Sequence, residues 1–171
     1  VSSRSFHDPL IAKDHGLEYE LDLMVACPRP ILELWHSVPN VKCAIIHAEI
    51  AEPLEPLIEL IKGYGWQGGI AVSPSTDWQT IKPLLPKIDT VQFMTVFPGP
   101  NAAPFQPQVV PKIKLFHDAH PEITITVDGG VNEITIPLLL AAGVTRFAVG
   151  SAIWNSGDPI QNYKKLLKLI S

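Results

Sequence analysis

Asp128-Gly-Gly130 is where this chain could do chemistry. The aspartate closes a β-prone run, Thr124-Ile-Thr-Val127, and a segment with helical spacing follows the glycines. An acid at the carboxyl end of a buried strand, followed at once by a glycine turn, is how α/β proteins place catalytic or ligand-binding groups. Glycines there let backbone N–H groups approach an anion such as phosphate, and the next helix N-terminus adds positive partial charge. A purely structural alternative stands beside this one: a tight strand-to-helix turn capped by Asp128. Other strand ends carry groups of the same kind, namely Asp22 and Met24, His47 and Glu49, Ser73, Met94, and Gly150 with Ser151.

The elements that must position them follow a repeating rhythm. Tyr19–Val25, Lys42–Glu49, Gly68–Ser73, Thr90–Val96, Thr124–Asp128 and Arg146–Val149 are apolar or alternating runs and read as strands. Between them lie helical patterns. One opens at Pro28 and Pro30 and uses Ile31, Leu34 and Trp35; the next places Leu54, Leu57, Ile58 and Ile61 on one face and ends at Gly63 or Gly65. Thr76 and Gln79 form a capping-box pattern ahead of Trp78, Ile81, Leu84 and Leu85. Val109, Ile113 and Phe116 mark a further face, as do Ile134, Leu138 and Ala141 before Gly143. The last helix aligns Ile160, Tyr163, Leu167 and Ile170. Phe97–Pro107 is a long Pro/Gly loop where a lid is expected. Strand and helix in alternation imply a parallel sheet with helices outside it. Near-continuous apolar strands with polar ends favour a β/α barrel over an open doubly wound sheet, and no G-x-G-x-x-G follows any strand.

Bulk properties narrow the function. A chain of 171 residues, 46% hydrophobic and 18% charged, is expected to form one domain over 1–171. A net charge of −4 argues against a nucleic-acid partner, since phosphate backbones are held by clustered Lys and Arg. Lys164, Lys165 and Lys168 read as the solvated face of the last helix. Cys27 and Cys43 are too few for a disulfide framework or a zinc-finger pattern, so a reducing cytoplasm is the expected location. No apolar run has membrane-spanning length and no leader pattern precedes the domain. The first residue is Val1 rather than Met, which suggests a fragment.

Taken in order, the strand-end motifs resemble the ribulose-phosphate 3-epimerase family of phosphosugar-binding TIM barrels. Leu21-Asp-Leu-Met-Val25 is similar to that family's V-H-L-M-V, and Ile46-His-Ala-Glu49 to its V-H-x-E. Val72-Ser-Pro-Ser-Thr76 is similar to L-N-P-x-T, and Phe93-Met-Thr-Val-Phe-Pro-Gly99 to L-M-T-V-N-P-G. Val127-Asp-Gly-Gly-Val-Asn132 and Val149-Gly-Ser-Ala-Ile153 match V-D-G-G-V-N and A-G-S-A-I closely. Both methionines of the chain fall on the family's active-site methionine positions.

The resemblance implies a β/α barrel of which about six of eight units are present. It also implies epimerisation of ribulose 5-phosphate and xylulose 5-phosphate by a metal-assisted 1,1-proton transfer, in which two carboxylates on opposite faces exchange the proton beside the ketone. By the match Asp128 is an acid/base and a metal ligand. Gly129, Gly130, Gly150 and Ser151 hold the substrate phosphate, while Met24, Met94 and Ser73 line the pocket. The metal is divalent, zinc by family, with manganese or iron as alternatives.

The departures are specific. A histidine ligand of the family is Asp22 here, with His47 the nearest donor to supplement it. The family's H-x-D-V-M-D-G strand, which carries a metal histidine and the second acid/base, is expected just upstream of Val1, because Val1–Pro9 resembles the segment that follows it. The mobile glycine loop has become Phe97-Pro-Gly-Pro-Asn-Ala-Ala-Pro-Phe105. Loss of the metal, a non-catalytic phosphosugar-binding relic, and a truncated barrel scaffold therefore remain open beside the enzyme. Six strands of an eight-stranded barrel leave open edges, so self-association that covers them is expected. Other phosphate-binding barrels use an Asp-x-Lys pair, which does not occur here.

Overall fold

A computed structural model describes residues 16–97, 103–155 and 157–170. The six apolar runs become β1 (Tyr19–Leu23), β2 (Val41–His47), β3 (Gln67–Val72), β4 (Thr90–Met94), β5 (Thr124–Asp128) and β6 (Arg146–Ala148). The helices are α1 (Arg29–Trp35), α2 (Leu54–Gly63), α3 (Val109–Ala119), α4 (Thr135–Ala141), α5 (Ser151–Trp154) and α6 (Pro159–Leu167), with a 3-10 helix over Trp78–Lys87. The chain divides into two compact units: residues up to Ala71 with Gln79–Thr90, and Val72–Trp78 with the residues from Val91 onward.

In the first unit the strands lie in the order β1-β2-β3, and both pairings are parallel. Parallel neighbours require a crossover, which α1 and α2 supply. β1 alternates, with Leu21 and Leu23 buried and Glu20 and Asp22 exposed, whereas Cys43–Ile46 in the middle of β2 are all buried. A Cβ on Gly69 would come within 2.6 Å of Thr90 Cγ2 and 2.9 Å of Ile45 Cγ1. Only the missing side chain lets β3 lie between those neighbours. Thr90 opens β4, so the chain order continues past β3 instead of returning beside β1 as in a doubly wound sheet.

Helix faces here depart from expectation in two places. In α1 the buried residues are Leu32 and Trp35, while Leu34 is exposed. Leu32 and Trp35 are three residues apart and share a face, and Leu34, two residues from Leu32, falls on the opposite side. The segment after Thr76 starts at Trp78, not directly at a Thr76 cap, and forms a 3-10 helix with Ile81 and Leu85 buried. Pro83 and Pro86 lie inside it; lacking N–H donors, they deny that stretch a continuous α-helical ladder.

In the second unit the order is β4-β5-β6, with β5 and β6 parallel and Asp128 opposite Ala148. Its core is aromatic. Phe116, fully buried on α3, has its ring centroid 5.3 Å from Trp78, 5.4 Å from Phe93 and 5.3 Å from His120. Gly143, at φ +97°, closes the α4 segment where a Cβ would come within 2.3 Å of the His117 ring.

α4 buries Thr135, Ile136 and Leu139, whereas the expected face of Ile134, Leu138 and Ala141 is exposed. The expected apolar stripe of α6 is likewise open: Ile160, Tyr163, Leu167 and Ile170 are exposed and Leu166 is the buried residue. Periodicity fixes which residues share a face but not what covers it. Part of that stripe, Tyr163, Leu167 and Ile170, lines a groove of about 340 Å³ with Phe147, Val149 and Ile153. Residues 98–102 of the expected lid lie outside the described residues. Its far end is tied down, since Gln106 N–H donates to Thr95 O at 2.8 Å. No helix among the described residues is long and apolar enough to cross a membrane.

The aromatic cluster makes a direct prediction. Phe116→Ala should destabilise the protein by about 3–5 kcal/mol through lost contacts and a residual cavity. The measurement is the urea midpoint; a loss below about 1 kcal/mol would mean the cluster is not a core.

Candidate functional site

In the first unit the polar strand ends meet through register. Asp22 is opposite Ile45, and His47, two residues further along β2, projects from the same face. The result is a diagonal pair with His47 Nε2 and Asp22 Oδ1 3.1 Å apart. The other ring nitrogen, Nδ1, lies 3.8 Å from Glu49 Oε2. The imidazole is the better buried member, at 12% side-chain exposure against 28% for Asp22 and 36% for Glu49. Met24 lies past the end of β1 and is half exposed.

In the second unit the site is a clamp on the glycine turn. The backbone N–H of Thr95 donates to Asp128 O at 2.8 Å. Thr95 Oγ1 donates to Asp128 O at 3.0 Å and also to Gly129 O. Gly130 O accepts from Asn132 Nδ2 and from Thr135 Oγ1, each at 2.9 Å. Asn132 Oδ1 in turn accepts the N–H groups of Ile134 at 2.8 Å and Thr135 at 3.1 Å. The Asn132 side chain thus caps the N–H groups at the start of α4.

This clamp has a directional consequence. A trans peptide sets C=O and the following N–H on opposite sides. With the carbonyls of Asp128 and Gly129 bonded to Thr95, the N–H groups of Gly129 and Gly130 point away from Thr95. Glycine is required at both positions. Gly129 has φ +106° and a Cβ there would come within 2.5 Å of Val96, while Gly130 has φ +62° and would bring a Cβ to 3.0 Å from Phe105. Asp128 itself is half buried at the strand end.

The remaining residues divide by burial. Ser73 and Met94 are buried, and Gln92 Nε2 donates to Met94 Sδ at 3.6 Å. Gly150 precedes α5 and is exposed, with open space where a Cβ would stand, so packing does not demand glycine there. Ser151 is the first residue of α5 and is exposed. Sequence reasoning missed Thr95, Asn132 and Thr135. Thr95 and Asn132 stood inside quoted motifs, and the signal for Asn132 was an Asx residue three before the helix.

A divalent metal does not fit these residues as they stand. Among the described residues no group of three or more His, Cys, Asp or Glu side chains is placed to hold an ion. The ring nitrogen that bonds a carboxylate is the protonated one, and a protonated nitrogen has no lone pair for a metal. With Nε2 on Asp22, that nitrogen is engaged and the pair is a hydrogen bond rather than a donor set.

Comparison with known proteins places this geometry. The model of the ribulose-phosphate 3 epimerase family matches residues 10–154. Ribulose-phosphate 3-epimerase of Bacillus subtilis is 36% identical over 118 residues, 66% of this chain and 54% of that protein. The enzyme of the same name from Buchnera aphidicola is 31% identical over 155 residues, 86% of this chain and 68% of that protein. The chain thus spans about half to two thirds of the length of these relatives. Among solved structures, 3-hexulose-6-phosphate synthase from Salmonella typhimurium superposes with a TM-score of 0.71 at 17% identity, over 90% of this chain and 72% of that one. Orotidine 5'-phosphate decarboxylase from Pyrococcus horikoshii gives 0.67 at 17% identity, over 91% of this chain and 74% of that one. Those two likenesses concern the fold alone, a TIM-barrel-like arrangement of parallel strands and helices. Matched from residue 10 to residue 154, the chain belongs to the ribulose-phosphate 3-epimerase family.

Proposed function

We propose that this chain is the phosphosugar-handling part of a carbohydrate-phosphate epimerase acting on ribulose 5-phosphate and xylulose 5-phosphate. The observation that carries the proposal is the Thr95 clamp, with the N–H groups of Gly129 and Gly130 turned outward beside Asp128. Outward N–H groups suit the phosphate oxygens, with Gly150 and Ser151 as further phosphate contacts. The Asp128 carboxylate, fixed through its own backbone carbonyl, would take the proton from the carbon beside the ketone and return it. Ser73 and Met94 would line the sugar's path. No step is assigned to a metal.

Epimerisation needs a second acid/base on the opposite face of the substrate, whereas Asp128 acting alone would exchange the proton with retained configuration. The Asp22–His47 bond favours a second reading, a phosphosugar-binding relic that has given up the metal.

Three measurements follow. Incubated in deuterium oxide with ribulose 5-phosphate, the chain should wash deuterium into C3, and Asp128→Asn should slow this at least about 100-fold. Exchange that survives the substitution would remove Asp128 from the chemistry. Binding without any exchange, insensitive to a chelator in calorimetric titration, would decide for the relic. Gly129→Ala, which forces a Cβ against Val96 at positive φ, should weaken phosphosugar binding by about tenfold or more. An unchanged dissociation constant would mean that the turn is not the cradle. Finally, the open α6 stripe and the half-buried β6 should draw copies together at micromolar concentration. A monomer in sedimentation velocity up to about 100 μM would contradict that self-association.

A further inference from the structure

Lys112 is a lysine on the wrong side of its helix. α3 buries Val109, Ile113 and Phe116, and Lys112 stands one turn before Phe116 on that same side. A lysine there should cost stability unless its ammonium is met by acceptors. It is met by a loop. Lys112 Nζ donates to Ser73 O at 3.1 Å, to Pro74 O at 3.4 Å and to Thr76 O. The same nitrogen lies 5.8 Å from the centroid of the Phe93 ring, in range for a cation–π contact.

Three carbonyls from four consecutive residues thus converge on one point, and the three N–H donors of an ammonium match them in number. Carbonyls packed this closely repel one another unless a cation sits between them. The loop is the one that leaves the carboxyl end of β3, where barrel enzymes carry their sites. Within the loop, Thr76 N–H donates to Ser73 O at 3.1 Å. Trans geometry then turns the N–H groups of Ser75 and Asp77, which follow the Pro74 and Thr76 carbonyls, away from the ammonium. The logic is that of the Thr95 clamp: carbonyls are gathered on one side so that N–H groups face the other.

We propose that Lys112 is a positioning residue. Its ammonium is the internal cation that sets the Ser73–Thr76 loop, and through that loop it tunes phosphosugar binding. The second half rests on the function proposed above; the first half does not. A lysine that merely filled space would be replaceable by an isosteric apolar chain without altering the loop.

The test compares the wild-type chain with Lys112→Met and Lys112→Arg. Hydrogen exchange at the Ser75–Asp77 amides reports the loop, and calorimetric titration with ribulose 5-phosphate reports the site. Lys112→Met should speed exchange at those amides at least about tenfold while β5 amides stay unchanged, and should raise the dissociation constant about tenfold. Lys112→Arg, which keeps charge and donors, should recover both to within about threefold. If Lys112→Met does not fold, Lys112→Gln, which keeps an N–H donor group and loses the charge, is measured in its place. Unchanged loop exchange in the neutral variant overturns the proposal outright. Faster loop exchange with unchanged affinity overturns the link to the site. Should the wild-type chain bind no phosphosugar, the functional reading fails on its own, and the loop exchange still decides whether Lys112 is the internal cation.

Discussion

The second unit depends on a threonine that holds two consecutive carbonyls. Thr95 follows β4, and its amide and hydroxyl together bond Asp128 O, with the hydroxyl also reaching Gly129 O. Two donors, worth about 0.5–1.5 kcal/mol each, are modest beside the hydrophobic core, but they decide direction as well as energy. They fix where the Asp128 main chain ends and which way the next two N–H groups look. Without them a turn of two positive-φ glycines would sample many conformations, because glycine pays more entropy on ordering than any other residue. Val96 and Phe105 complete the restraint by occupying the space where side chains on Gly129 and Gly130 would stand. The loop after β4 and the turn after β5 are therefore built as one object.

How far the sequence displays this varies by element. The strands are legible because a parallel, doubly covered strand must be apolar along most of its length, as Cys43–Ile46 are, and β4, though it carries Thr90 and Gln92, is buried throughout. Their carboxyl ends are legible for the converse reason, since Asp22, His47 and Asp128 interrupt that pattern. Legibility fails where two elements must be known together. The faces of α1 and α4 were misjudged because several apolar residues compete for burial and only the partner strand selects among them. The prolines that turn Trp78–Lys87 into a 3-10 helix were visible, yet an amphipathic pattern outweighed them. Lys112 carried no sequence signal beyond its spacing to Phe116, and the carbonyls that justify it lie 36 to 39 residues away.

The first unit handles its polar strand ends by a different principle. Asp22 stands where the family pattern has a histidine, and the exchange alters what the neighbouring imidazole can do. Two imidazoles face to face leave lone pairs that a metal can use, whereas a carboxylate facing an imidazole forms a hydrogen bond and is satisfied. With Asp22 at 3.1 Å from one ring nitrogen and Glu49 at 3.8 Å from the other, His47 lies between two carboxylates. An arrangement that closes on itself does not need a metal to hold its shape.

The two polar arrangements, one in each unit, thus differ in how much substitution each tolerates. The backbone cradle rests on peptide direction, which any sequence preserving Thr95, the glycine pair and Asn132 reproduces, and no side-chain chemistry at the ligand is required of it. A metal centre rests on donor identity, and histidine to Asp22 exchanges a nitrogen donor for a carboxylate that hydrogen-bonds the neighbouring His47. Divergence should therefore erode metal chemistry before phosphate recognition. In this chain the glycine turn is held by Thr95, Asn132 and Thr135, which donate to the carbonyls of Asp128, Gly129, Gly130 and Asn132, while the His47 ring bonds a carboxylate.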